Sequence, residues 1–490
     1  MKMVPSLKYK TINALSWSFL ESVVMRGMQF IIGVILARIL LPEQFGLIGM
    51  LMIFTVVAQT FVESGFGAAL IQKREASAAD ICSIFYFNVF VGVLATGFLC
   101  LIAPWVADFY NQPILTPLMR VLSLTIFISS LGVIQDTLLT KDINFKAQTK
   151  RSLFAGLLSG AVGIGFAFAG FGVWSLAAQQ VSNSVFRTAC LWVLSPWRPA
   201  LTFSFGALQK MFGFGSRLLF SGLLNRVFEN IYFLVIGRLF SAVDLGFFTR
   251  AKTLQELPSQ TLSDVVGRVT FPVFSKSQDD PVRLKKGLKK ALGALVLLNF
   301  PLMTGLAVTC RPLVLILLGE KWAGCVHYLQ LLCILGLLYP VHAMNLNILT
   351  SMGRSDLFLR LEIIKKILIV VSILITWRWG ISAMIYGMIA TSVVSCYLNS
   401  YYTRILIDYS PGEQLKDLFP YLAAAVVMGA TAFAVGLLRF PNNLLMLSAQ
   451  VVTGTGIYLG LCWAFRLAAF DEIRQEVSNR ISFSRVGTPG

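Results

Sequence analysis

Two arginines stand near the middle of long apolar stretches: Arg26 in LSWSFLESVVMRGMQFIIGVILARILLPEQFGLIGM and Arg226 in SRLLFSGLLNRVFENIYFLVIGRLFSAVDLGFF. Each lies roughly 15–20 Å of helix rise from either end of its stretch. A guanidinium stays charged and donates two parallel hydrogen bonds, so away from water it suits an oxyanion such as phosphate. The other reading of such an arginine is a buried ion pair that pins two helices, with Glu21 or Glu229 as partner. Arg217, Arg250 and Lys252 lie nearer the ends of apolar segments, where they either meet an anion or snorkel to an interface. The acids Glu21, Glu63, Glu229, Glu256 and Asp264, with Glu362 further on, could carry a coupling proton or simply neutralise nearby arginines.

The elements that carry these residues occur twice. Laid over each other, the two stretches match Ser16 to Ser216, Arg26 to Arg226, Ile31 to Ile231, Arg38 to Arg238 and Gly46 to Gly246. After the turn the register slips by one place, and Gln59, Thr60 and Glu63 meet Gln260, Thr261 and Asp264. Leucine matches mean little in an apolar chain. The rarer residues carry the argument for an internal duplication.

Composition sets the class. The chain has 490 residues, 56% of them hydrophobic and only 13% charged, and a formal net charge of +18. Its mean hydropathy is +0.75. A soluble chain would carry about twice that share of charge. An all-α polytopic membrane protein is therefore expected, with about 14 transmembrane helices of roughly 20 apolar residues each. They fall near 13–37, 45–69, 80–103, 117–139, 153–171, 173–194, 212–236, 245–272, 291–309, 325–350, 361–377, 380–405, 419–438 and 444–466. The segment 245–272 is the most polar and must face protein or water. No cleavable signal peptide is read ahead of the first helix. Loop Lys and Arg lie roughly fourfold more often on one side, which places both termini in the cytoplasm. The positive charge then suits anionic headgroups and gives no case for nucleic acid. Copies that begin at the first and seventh helices enter the membrane in the same direction. This predicts two parallel six-helix lobes related by a pseudo-two-fold along the membrane normal. The N-lobe would occupy 1–200 and the C-lobe 201–407. Residues 408–490 would add two further helices and a basic tail, with Ile473, Val477 and Ile481 on one amphipathic face.

The segments WSFLESVVMRGMQFIIGVILARILLPEQFGLIGM, TFVESGFGAALIQ, LLTKDINFKAQTKRSL and GVWSLAAQQV resemble bacterial polysaccharide exporters of the Wzx type, particularly those of colanic-acid-type exopolysaccharides. These belong to the multidrug/oligosaccharidyl-lipid/polysaccharide superfamily. The likeness covers the first twelve helices and is densest in the first six. It implies a flippase of the bacterial inner membrane for an undecaprenyl-pyrophosphate-linked oligosaccharide. Such a substrate would enter from the cytoplasmic leaflet and leave in the periplasmic one, between two six-helix lobes. The expected partners are that lipid-linked sugar and membrane lipids, and docking by a polymerase or other synthesis proteins is open. The coupling ion is open between proton and sodium.

Two rival classes remain beside it. A membrane polymerase would need acids, His or Arg gathered in a sizeable loop, and the loops here are short or Lys-rich. A drug/proton antiporter of the same superfamily would favour aromatic and acidic pocket residues over midspan arginines. No metal, nucleotide or cofactor motif is present. The eight cysteines contain no C-x-x-C and read as small buried hydrophobes, although Cys310 and Cys325 could pair across one loop. His327 and His342 lie about 22 Å apart on one helix, too far to share a metal. Gly156 and Gly160 have the spacing of a close helix contact. Trp377 and Trp379 mark an interfacial helix end.

Overall fold

The computed structural model describes residues 24–63, 66–72, 77–141 and 145–475. Every regular element among them is helical. Helix α1 covers 24–39 and is followed by α2 (Pro42–Glu63), α3 (Phe66–Gln72), α4 (Ala78–Tyr110), α5 (Leu115–Ser130), α6 (Val133–Lys141), α7 (Phe145–Phe168), α8 (Val173–Leu194) and α9 (Phe205–Leu239). Then come α10 (Ala242–Lys276), α11 (Pro281–Leu317), α12 (Cys325–Ser351), α13 (Ser355–Thr376), α14 (Ile381–Ile407), α15 (Pro411–Gly436) and α16 (Asn443–Ala464), with a short last helix over 468–475. Among the described residues, 9 helices are long and apolar enough to cross a membrane, or up to 10 if the bent pair α5–α6 is one span.

Local sequence explains several helix starts. Ser77 accepts from the Asp80 backbone while the Asp80 carboxylate accepts from the Ser77 backbone, a reciprocal cap that starts α4. Asp280 caps α11 ahead of Pro281, and Ser410 caps α15 ahead of Pro411. One segment expected as a single helix is bent: that over 117–139 turns by 43° between α5 and α6. Gly132 sits at that bend, where an added Cβ would come within 2.8 Å of the Leu191 side chain. Tight packing of α8 against the bend thus requires glycine. Helix α11 begins earlier than the span expected from Ala291, because its first turns hold Arg283, Lys285, Lys286, Lys289 and Lys290 ahead of the apolar part.

The chain divides into two compact units, Met1–Thr249 and Arg250–Gly490. In the first, α7 packs on α1, with Gly156 and Gly160 admitting the Met28 and Ile32 side chains. The duplicated turns also meet here. The Gly46 α-carbon lies against the Ala242 carbonyl, and Gly246 lies against the Pro42 carbonyl. A side chain at either position would collide with backbone. In the second unit, Leu292, Leu295 and Val296 of α11, Met344 and Ile348 of α12, Ala425 and Met428 of α15 and Tyr458 and Cys462 of α16 form one core. Leu467 and Ala469 extend that core past α16. Val477 and Ile481 lie outside the described residues. Cys310 and Cys325 are both buried free thiols.

Candidate functional site

The residues singled out by type are divided between the two units. Glu21 lies outside the described residues, as does the side chain of Arg217, whose backbone belongs to α9. Arg26 is half-buried on α1. Arg226 donates from Nη1 to Glu229 Oε2 at 3.1 Å, with both side chains more than half exposed. This pair runs along one turn of α9 and does not join two helices. Glu63 is exposed at the end of α2 and accepts from Gln59 Nε2 at 3.2 Å. In the second unit, the Arg250 guanidinium lies 5.8 Å from the ring centre of fully buried Trp322. Lys252 Nζ stands 3.7 Å from Glu256 Oε1 one turn along α10. Asp264 is half-buried on the same helix.

A further cluster of charge among the described residues of the first unit lies outside the set named from sequence. Asp136, on α6, takes two arginines. Arg151 of α7 donates from Nη1 to its Oδ1, and Arg187 of α8 donates from Nη2 to its Oδ2 at 3.0 Å. Exposure separates the two cations: the Arg151 side chain is 4% exposed and the Arg187 side chain 54%. Beside Arg187 opens a cavity of about 280 Å³ between α2, α3, α5, α6 and α8, lined by Gln59, Glu63, Asp136, Thr137, Thr140 and Thr188 among others. A second cavity of about 470 Å³, between α2, α4 and α9, is lined by Phe54, Phe61, Phe98, Leu234 and other apolar side chains. An anionic headgroup finds partners only in the first. The signal was available, since Asp136 and Arg187 interrupt the apolar segments 117–139 and 173–194. Their pairing depends on the bend between α5 and α6, which the sequence does not announce.

A second buried polar group sits in the other unit. Glu362 of α13 lies 3.1 Å from Lys365 and 3.8 Å from Lys366. His342 of α12 bonds Ser392 through Nε2 at 2.9 Å and Asn399 through Nδ1 at 3.1 Å.

A family model described as polysaccharide biosynthesis protein matches residues 35–327. The chain belongs to this family. It is 28% identical over 411 residues to the lipopolysaccharide biosynthesis protein WzxC of Escherichia coli (strain K12), with 82% of each chain covered. It is 27% identical over 474 residues to the teichuronic acid biosynthesis protein TuaB of Bacillus subtilis (strain 168), covering 95% of this chain and 96% of that one. The succinoglycan biosynthesis transport protein ExoT of Rhizobium meliloti (strain 1021) is 25% identical over 473 residues, with 93% of each chain covered. In fold, the chain is similar to the lipid II flippase MurJ in an inward closed conformation, with a TM-score of 0.74, 14% identity, and 92% of this chain and 98% of that one covered. An inward-facing multidrug resistance MATE family transporter of the MOP superfamily aligns with a TM-score of 0.60 and 14% identity, over 79% of this chain and 94% of that one. The expected membership in the Wzx-type group and the all-helical membrane fold are thus borne out.

Proposed function

We propose that this chain is a flippase of the bacterial inner membrane. It moves an undecaprenyl-pyrophosphate-linked oligosaccharide repeat unit from the cytoplasmic to the periplasmic leaflet, by alternating access coupled to an ion, for exopolysaccharide or lipopolysaccharide synthesis. The observation that carries this reading is a polar cavity, lined by Arg187, Asp136 and Glu63, inside an otherwise apolar helical unit of a polysaccharide-biosynthesis family member. Relatives over most of the chain include a transport protein for succinoglycan biosynthesis, and the fold is shared with a lipid II flippase. In this reading α1, α8, α10 and α13 cross the bilayer with the more apolar helices, giving about 14 spans and cytoplasmic termini. The membrane lipids and the lipid-linked sugar are its partners, and the polymerase that consumes the flipped unit acts on the periplasmic side. Deleting the gene and extracting lipids tests the proposal. Complete lipid-linked repeat units should accumulate in the cytoplasmic leaflet. Accumulation of single repeats that have already crossed would assign the chain to polymerisation instead.

A further inference from the structure

We infer that the segment 195–204, which joins α8 to α9, is a strap that anchors in the membrane surface. Leu201, Phe203 and the adjoining Phe205 enter the boundary between headgroups and acyl chains at that end of α8, in the cytoplasmic leaflet on the proposed orientation. Leu201 is 97% exposed, Phe203 57% and Phe205 72%, three large apolar side chains within five residues. The backbone that carries them is held in place. The Ala200 N–H donates to Cys82 Sγ at 3.4 Å, the Tyr86 hydroxyl donates to the Ala200 carbonyl at 3.2 Å, and the Ser204 N–H donates to Ser83 Oγ at 2.8 Å. Arg198 ties the other end. It donates from Nη1 to the Ser195 and Trp197 carbonyls at 2.6 and 2.8 Å, and from Nη2 to the Trp192 carbonyl at 2.7 Å. Trp197 packs edge-on against Phe85 of α4, with ring centres 5.6 Å apart. Pinned to α4 and to the end of α8, the strap holds its apolar side chains outward.

Helix length sets the depth. Helix α4 has 33 residues, about 50 Å of rise, against a hydrocarbon core of roughly 30 Å. Shared between its two ends, the excess leaves about 10 Å, or about six or seven residues, outside the hydrocarbon at each. Cys82, Ser83 and Tyr86 straddle that boundary, and the strap lies on them. Its irregular backbone can go no deeper, because unpaired N–H and C=O groups are not tolerated facing acyl chains. It stays at headgroup level while its side chains reach down. Tyr86, Trp192 and Trp197 supply the aromatic belt typical of that depth. Charge points to the same surface. Between Ser195 and Lys210 the chain carries two cations, Arg198 and Lys210, and no acid, which suits anionic headgroups. The anchoring needs only the membrane fold and stands apart from the flippase reading.

Spin labels on Leu201→Cys and Phe203→Cys test the anchoring, in full-length protein held in nanodiscs of phosphatidylethanolamine and phosphatidylglycerol. Depth is read from collisions with oxygen, which partitions into lipid, and with a nickel chelate, which stays in water. The unsubstituted chain, treated with the same label, gives the background from its own thiols. Asp279→Cys, in the exposed turn before α11, gives an aqueous reference. Labels at 201 and 203 should collide more with oxygen than with nickel, and the label at 279 should do the reverse. Both strap positions are exposed, so melting temperature should match that of the unsubstituted chain, and either variant can be read without the other. Nickel collisions at 201 and 203 equal to those at 279 would overturn the inference and make the strap an aqueous loop. Shielding from both reagents would overturn it too, by showing that protein covers the strap, either a second copy of this chain or another partner.

Discussion

Asp136 and Glu229 are both carboxylates paired to arginine, and their surroundings give them opposite consequences. Asp136 neutralises Arg151, whose side chain is 4% exposed. Replacing Asp136 by Ala leaves that guanidinium without its counter-charge and should cost about 3–5 kcal/mol. The expected outcome is a sharp fall in protein level and melting temperature, measured on detergent-extracted protein. A normal melting curve would mean that water reaches Arg151. Glu229 pairs with Arg226 along one helical turn, with both side chains more than half exposed. Such pairs contribute about 0.3–0.5 kcal/mol, so Glu229→Gln should leave protein level unchanged. If Arg226 serves the substrate, Arg226→Ala should abolish export in a stable protein, and removing Glu229 as well should not restore it. Recovery of export in the double variant would show that Arg226 acts only through its pair. Arg26, Arg226 and Glu63 were legible because a charge stands out in an apolar run. Asp136 and Arg187 stand out in the same way, and only the fold reveals that residues so far apart in sequence share one cavity.

At the scale of elements, the duplicated Pro/Glu/Gly and Ala/Val/Asp/Gly turns were visible as a repeat, and the reason for their glycines was not. Gly46 faces the Ala242 carbonyl and Gly246 faces the Pro42 carbonyl, so the two turns pack reciprocally with no room for a Cβ. The crossing is fixed by backbone sterics, which no hydrophobic pattern records. Gly46→Ala and Gly246→Ala should each destabilise the protein by at least about 1–3 kcal/mol, the range of overpacked core sites. Gly165 has open space around a would-be Cβ, and Gly165→Ala should be neutral. Equal effects at the three positions, measured by thermal unfolding, would dismiss the reciprocal contact. The α5–α6 bend was likewise hidden, because it has no proline. It depends on α8 side chains pressing on Gly132, a tertiary cause. By contrast, the caps at Ser77, Asp280 and Ser410 are local signals in the sequence, although an apolar-span reading starts the helices later, at 80, 291 and 419.

For the whole molecule, the excess of Lys and Arg on one face carries the orientation, and ion pairs in the second unit supply an independent check on it. Lys285 meets Glu413 at 2.8 Å, Lys289 meets Asp417 at 2.9 Å, and Lys290 meets Glu472 at 2.8 Å. These contacts bring the start of α11, the start of α15 and the segment after α16 to one side of the unit. Tyr458 of α16 also donates to the Leu297 carbonyl of α11 at 2.9 Å. The two C-terminal helices are therefore built into the same core as α11. Reporters fused after Lys286 and after Arg480 must give the same answer, whatever the absolute orientation. Charge bias adds that this answer is cytoplasm, shared with a fusion after Lys146, while fusions after Tyr110, Trp322 and Asn442 report periplasm. Disagreement between Lys286 and Arg480 would contradict the ion pairs themselves. Agreement with both periplasmic would keep the fold and invert the membrane assignment. A cytoplasmic signal at Asn442, with Lys286 and Arg480 also cytoplasmic, would show that α15 and α16 do not cross, and would leave their burial against α11 without a membrane to explain their apolar outer faces.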